Sequence, residues 1–464
     1  MQLSLLLLPL FSAAVAEPDP FSFQAPFLRK PFRPAAAHTA ATSPKSYDGH
    51  VALRVPYTTS EEVAILYNVS SHMNLDIWSK TPAYVDIALR ETQLDALYRQ
   101  IPASLYENAR PLVRNLGQSV RRSMPDASND FLSTLATTTD IHDAFFSDFQ
   151  TIEAVNALMT LLVAMQPSHT SLVNLGKSFE GRDILGVKIA KPEQKSTKKK
   201  SKKQAKRKLV LVTGAQHARE WISVSSVAYL AHALATGNNG DAQIAELTNH
   251  FDWVFLPTLN VDGYDYSFQD RLWRKNRQPT SVPFCKGIDL DRNWDFGWDE
   301  QQHVLSNPCS ENYQGAKAFE AQETKLMSQY MTSLKKEYNV LGFLDLHSYA
   351  QTILYPYALS CKLNVRDEET LLELGIGASR AMKHISGETY QTESACNQDG
   401  HILAGVNSGA ALDWVYHSGV EWSFVIKLRD TGNYGFLVPK EEIVPNGEEM
   451  LAFLKYYGEF ISTR

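Results

Sequence analysis

Short apolar runs of strand length, separated by polar turns and helical stretches, recur along most of this chain. Residues 51–56, 75–78 and 84–89 are β-rich runs, and 60–73 and 91–101 read as helices. Ser60 stands where the first of these helices needs an N-cap. The series ends near Val113 with room for a closing strand, which predicts a small α/β unit over residues 47–116. Farther on, helical stretches alternate with strongly apolar runs at 209–213, 253–257, 341–346, 352–355 and 423–428. That alternation predicts an α/β fold with a mixed, mostly parallel sheet and helices on both faces.

The N-terminus follows a different pattern. Residues 3–11 are mostly apolar but too few to cross a bilayer; Ala14-Val15-Ala16 and then Glu17-Pro18-Asp19-Pro20 follow. This predicts a signal peptide over 1–16 and secretion. Residues 17–46, rich in Pro, Ala and Phe, have no period and read as a poorly ordered lead-in. No later stretch approaches 18 apolar residues, so no transmembrane segment is expected. Arg121-Arg122 precedes a polar segment, 123–129, containing Pro125. Such a pair invites processing, dividing the chain into a propeptide over 17–122 and a larger domain over 123–464; two ordinary solvated arginines are the alternative.

Composition narrows the class. With 44% hydrophobic and 21% charged residues the chain folds around ordinary cores, and 464 residues allow up to three domains. The net charge of -6 gives no global basic field for nucleic acid. Residues 195–208 (KSTKKKSKKQAKRK) hold nine of the Lys/Arg, so the remainder carries -15. This run lies between apolar stretches at 184–190 and 209–213, where a hairpin connection fits. It reads as a solvated insertion, with docking to an acidic surface as the alternative. Asn68-Val69-Ser70 offers a glycosylation site at Asn68. Four cysteines allow two bridges in any of three pairings.

Chemistry concentrates at His217-Ala218-Arg219-Glu220-Trp221, directly after the 209–213 run. A histidine and a carboxylate three residues apart can chelate one ion from a loop or first helical turn. Chance alone supplies about one H-x-x-E in such a chain, so context decides. The 341–346 run ends at His347-Ser348-Tyr349, and α/β sheets place ligands outside the carboxyl ends of strands. Two histidines and a glutamate leave the fourth position of zinc open, the arrangement of a catalytic site.

Together with RLWRK at 271–275, DLDRNW at 289–294, DLHSY at 345–349 and LRDTGNYGF at 428–436, these residues resemble the zinc metallocarboxypeptidases of the carboxypeptidase A type. The resemblance runs from about residue 139 to the C-terminus, and residues 47–116 are similar to that family's ferredoxin-like pro-domain. It implies one Zn²⁺ held by His217, Glu220 and His347, with Asp289 orienting His217. It also implies that Arg274 polarises the scissile carbonyl and that Arg292 grips the terminal carboxylate as a bidentate pair. Arg219, Ser348 and Tyr349 would line peptide subsites, and Leu412 would select an apolar terminal side chain. A Cys285–Cys309 bridge is implied as well, with Cys361–Cys396 as the second.

Three positions depart from the family. Lys427 stands where the family has its general-base glutamate, and a protonated lysine accepts no proton. The exchange alters local charge by two units, each worth roughly 3–4 kcal/mol at about 4–5 Å and an effective dielectric near 20. Asp291 replaces an asparagine that helps hold the substrate carboxylate, and Gly405 replaces a mobile tyrosine. In these departures the chain resembles the inactive secreted fungal metallocarboxypeptidases associated with cell-wall organisation. The expectation is a zinc-binding protein that is not an enzyme, secreted and also vacuolar, with a peptide or protein C-terminal segment or a cell-wall component as partner. One alternative is a working exopeptidase in which burial beside Zn²⁺ makes Lys427 a neutral base. The other is a structural wall protein that binds no metal.

Overall fold

The first elements are set by side chains that alternate in direction along short strands. The computed structural model describes residues 44–126, 130–135, 140–191, 205–237, 240–298, 306–399 and 407–464. The expected signal peptide, most of the lysine-rich run and Gly405 lie outside the described residues. Strands β1 (His50–Pro56), β2 (Asp76–Lys80), β3 (Tyr84–Arg90) and β4 (Arg110–Val113) form an antiparallel sheet in the order β2-β3-β1-β4. Val51, Leu53 and Val55 of β1 pack with Val63, Leu66 and Val69 of helix Ser60–His72. Ala52 joins a second cluster, with Trp78, Ala88 and Val113 from this sheet and Leu272, Tyr349 and Phe436 from the rest of the chain. Both faces of the small sheet are therefore covered.

Two local expectations are corrected. The N-cap of helix Ser60–His72 is Thr59, which accepts from the Glu62 N–H while the Glu62 carboxylate accepts from the Thr59 N–H. A capping box needs its acid three residues after the cap, and Glu62 meets that spacing from Thr59 but not from Ser60. The helix expected over 91–101 is broken into Glu91–Gln93, Leu94–Tyr98 and, after Pro102, Ala103–Tyr106. Asn68 is exposed, whereas Ser70 of the same sequon is buried.

The larger sheet comprises β5 (Thr170–Lys177), β6 (Asp183–Ile189), β7 (Lys208–Gly214), β8 (Phe251–Leu256), β9 (Asn339–Ser348), β10 (Thr352–Tyr355), β11 (Gln391–Ser394) and β12 (Trp422–Leu428). Their order is β11-β10-β12-β9-β7-β8-β6-β5, with β12, β9, β7 and β8 mutually parallel. Every residue of β8 is buried, as is β7 from Leu209 to Gly214, which is the signature of strands covered on both faces. The hairpin expected between β6 and β7 is not formed. β6 pairs antiparallel with β8, so β8 lies between β6 and β7. Bridges join Cys285 to Cys309 and Cys361 to Cys396, the pairing the resemblance implies.

Residues 44–464 pack as one compact unit. An ion pair buried within the N-terminal sheet anchors hydrogen bonds that fasten it to the rest. Arg54 reaches Asp86 through two bonds of 2.7 Å and donates to the Thr431 carbonyl at 2.9 Å. Asp86, fully buried, also accepts from the Tyr349 hydroxyl at 2.7 Å. Arg121 and Arg122, expected in a linker, instead occupy the last turn of helix Leu116–Ser123, where Arg121 pairs with Asp48. Removing one partner of a buried pair strands the other charge, at a cost of about 3–5 kcal/mol. Arg54→Ala should lower the unfolding free energy of the full chain by that order and speed proteolysis of residues 44–123. Unchanged denaturation and digestion would show that Arg54, through Asp86 and the Thr431 carbonyl, does not fasten the sheet.

Candidate metal centre and cleft

His217 lies three residues beyond the end of β7, and His347 is the penultimate residue of β9, the parallel neighbour of β7. Glu220 is the N-cap residue of helix Trp221–Thr236, which begins as the chain leaves the sheet. The three side chains are buried, and their candidate ligand atoms all lie within 4.8 Å of one another. His217 Nδ1 is 2.8 Å from Glu220 Oε1. His347 Nδ1 is 3.2 Å from His217 Nδ1 and 3.1 Å from Glu220 Oε2. Around a four-coordinate zinc with bonds of roughly 2.0–2.1 Å, ligand atoms sit about 3.3 Å apart. The donor set and its spacing fit that ion.

Each imidazole is held from behind. His217 Nε2 lies 3.0 Å from Asp289 Oδ1, and His347 Nε2 lies 3.0 Å from Asp345 Oδ2. Both rings therefore turn Nδ1 to the centre, with the tautomer set by a carboxylate. Asp289 is held by Arg274 Nη2 at 2.8 Å, and Asp345 accepts from Thr213 at 2.7 Å and from the Gln216 amide. Sequence reasoning missed Asp345, although residues two apart on a strand share a face and D-L-H could have suggested it. Burial opposes ionisation of Glu220, but His217 and His347 outweigh it and hold the carboxyl well below its ordinary range. Burial likewise opposes ionised Asp289, and Arg274 and His217 override it. The centre favours positive charge.

The centre opens into a cavity of about 150 Å³, below the roughly 300–1,000 Å³ of drug-sized sites. Its walls include Arg274, Asp291, Arg292, Ser348, Tyr349, Leu412 and Lys427. Lys427 pairs in register with His347 on the adjacent parallel strand, so the two side chains leave the same face of the sheet. From the small sheet, Ile77, Trp78, Ser79 and Lys80 join the lining.

Three expected site residues have other engagements. Arg219 does not line the cavity: it is fully buried, donates to Asp76 at 2.6 and 3.2 Å, and lies over the Phe436 ring. Arg292 Nη2 donates to Asn407 Oδ1 at 2.8 Å, which uses one of the N–H groups expected to grip a carboxylate. Tyr349, expected along a peptide subsite, spends its hydroxyl on Asp86.

Residues 155–453 match the family model described as zinc carboxypeptidase. The chain is 40% identical over 438 residues to the inactive metallocarboxypeptidase ECM14 of Paracoccidioides lutzii, covering 90% of this chain and 73% of that protein. It is also 40% identical over 458 residues to the inactive metallocarboxypeptidase ecm14 of Sclerotinia sclerotiorum, covering 92% and 76%. Among solved structures, thrombin activatable fibrinolysis inhibitor is 26% identical with a TM-score of 0.75, over 90% of this chain and all of that one. A carboxypeptidase A from Helicoverpa armigera, 23% identical over 90% of this chain and 98% of that one, shares the fold with a TM-score of 0.75.

The Asp345–His347 contact makes a specific prediction. Asp345→Asn should weaken zinc binding by roughly 10–100-fold in chelator competition, and His347→Ala should weaken it further. Wild-type zinc affinity in Asp345→Asn would show that Asp345 does not tune the ligand.

Proposed function

The chain belongs to the zinc carboxypeptidase family, and on that premise we propose that it is a secreted, catalytically inactive member. In this reading it binds one Zn²⁺ through His217, Glu220 and His347, and its cleft holds a peptide or protein C-terminal segment or a wall component. The single observation that carries the reading is Lys427, level with His347 on the neighbouring strand and facing the same cavity. Its relatives in Paracoccidioides lutzii and Sclerotinia sclerotiorum, both inactive metallocarboxypeptidases, support it. Two disulfides, and the lack of any helix among the described residues long and apolar enough to cross a membrane, are compatible with secretion. A wall location, a further vacuolar pool and a glycan on Asn68 belong to the same proposal.

When bound, zinc supplies a Lewis acid that polarises a carbonyl. Hydrolysis also needs a group that accepts a proton from water and delivers it to the leaving amine. A charged lysine has no lone pair to accept that proton, so the relay lacks its first step. Arg274 points two bonds at Asp289, of 2.8 and 3.3 Å, and is thereby partly neutralised at the cavity edge. Tyr349 and Arg219 are engaged by Asp86 and Asp76 of the small sheet, so an extended peptide has no route along them while that sheet is docked.

Residues 17–122 act as a propeptide in this proposal, with scission after Arg122. That bond lies in the last turn of helix Leu116–Ser123 and Ser123 is buried, so the turn must open first. Sequencing of secreted protein should find a new N-terminus near Ser123; an intact junction in a host with dibasic proteases contradicts the assignment.

Losing general-base catalysis costs roughly 10²–10⁴ in rate. Lys427→Glu alone should restore little release of an apolar C-terminal residue, because Asp291 stays beside the ligand terminus. Lys427→Glu with Asp291→Asn should restore more. Efficient wild-type release that Lys427→Ala abolishes would overturn inactivity.

A further inference from the structure

Away from the metal centre, the expected cut site borders a second cavity, of about 320 Å³. Its walls include Arg122, Ser123, Asp126, Asp148, Lys440 and Glu441. Asp148 is the buried carboxylate of this group, with a side chain 2% exposed. It accepts from the Asp126 N–H at 3.1 Å and from the Phe149 N–H at 2.9 Å. Lys440 Nζ meets it at 3.2 Å from a side chain 38% exposed, so the lysine forms the solvent side of that pair.

Hydrolysis of the Arg122–Ser123 bond adds water across the amide, leaving a carboxylate on Arg122 and an ammonium on Ser123. The cavity wall carries three carboxylates, Asp126, Asp148 and Glu441, and two cations, Arg122 and Lys440. The new Arg122 carboxylate would meet like charge there, whereas the new ammonium meets opposite charge. Reach is satisfied as well. Ser123 precedes Asp126 by three residues, a tether of about 10 Å at full extension. The Asp126 N–H is itself bonded to Asp148, and Ser123 already lines the same cavity. So short a tether keeps the ammonium at high local concentration beside Asp148.

We propose that this cavity is the receptor for the primary ammonium generated at Ser123, which pairs with Asp148 and displaces Lys440 toward solvent. The proposal rests on scission after Arg122 and goes beyond it by giving the new terminus a seat. Attraction of one new end and repulsion of the other drive the two apart. Lys440 lies four residues after Phe436, whose ring packs edge-on against Trp78 of the small sheet. The seat is thus joined by a short segment to the surface on which that sheet docks.

The test cuts the full chain with a dibasic-specific serine protease and treats it at pH 7 with an amine-acylating reagent. Labelling of Ser123 is followed by mass spectrometry, in native buffer and in guanidinium. An ammonium held against a buried carboxylate keeps its proton and reacts slowly. Native wild type should label at least tenfold more slowly than the denatured chain. Asp148→Asn should remove most of that protection. Lys440→Ala, which removes the competing cation, should increase it, and keeps the idea testable if Asp148→Asn does not fold. Equal native and denatured labelling of wild type, or protection unchanged in both variants, would overturn the proposal. A junction that resists cutting removes the scission reading and this inference with it, whereas a cut chain with an unprotected Ser123 removes the inference alone.

Discussion

Everything near the cleft answers to one electrostatic constraint. Glu220, Asp289 and Asp345 are buried around two imidazoles at the carboxyl ends of adjacent parallel strands. Unpaired, such charges would cost several kcal/mol each on desolvation. Arg274 balances Asp289, and Thr213 and Gln216 hydrogen-bond Asp345. A dication between His217, Glu220 and His347 would complete the balance. The ligand set thus has a structural reason to remain in place whether or not the neighbouring strand supplies a proton acceptor. A change at Lys427 alters what the centre does to a ligand while leaving its ligand atoms where they are.

The second organising contact is the docking of the small sheet. Its acidic residues meet basic and phenolic groups of the larger domain, Asp76 on Arg219 and Asp86 on Tyr349, while Arg54 of the same sheet holds Asp86. Trp78 packs edge-on against Phe436, which also lies against Tyr349. These contacts bury charge in pairs and bring aromatic rings together, so the sheet and the cleft wall form one cooperative surface. What remains open is a cavity with an apolar floor and a few polar groups whose partners are mostly assigned. Recognition at that scale turns on single donors and acceptors.

Much of this could be read along the chain because it is local. Strongly apolar runs marked β7, β8, β9 and β12, and short β-rich runs between helical stretches marked the small sheet. His217 and Glu220 are three residues apart, and His347 ends a run. Features that depend on distant pairing were not legible. Asp76 and Arg219 are 143 residues apart, and nothing local in either segment announces the other. β5 and β11 are edge strands of mixed burial, so their runs lack the apolar density that betrays a central strand. The supposed hairpin before β7 failed because adjacency in sequence was taken for adjacency in the sheet, whereas β8 occupies the intervening place. Asn407 shows the same limit at the site itself: its hold on one N–H of Arg292, 115 residues away, is not announced by the DLDRNW run.

The central claim is that this protein keeps the metal centre of its family without the proton transfer that makes it hydrolytic. Oxygen exchange tests this most directly, because it reports water activation even when net cleavage is too slow to see. Zinc-loaded full chain, with its metal content measured, would be held with a peptide acid ending in leucine in ¹⁸O-labelled water, and the carboxylate followed by mass spectrometry. The account predicts about one zinc per chain and exchange no faster than in metal-free protein. Metal-dependent exchange well above that background would contradict it.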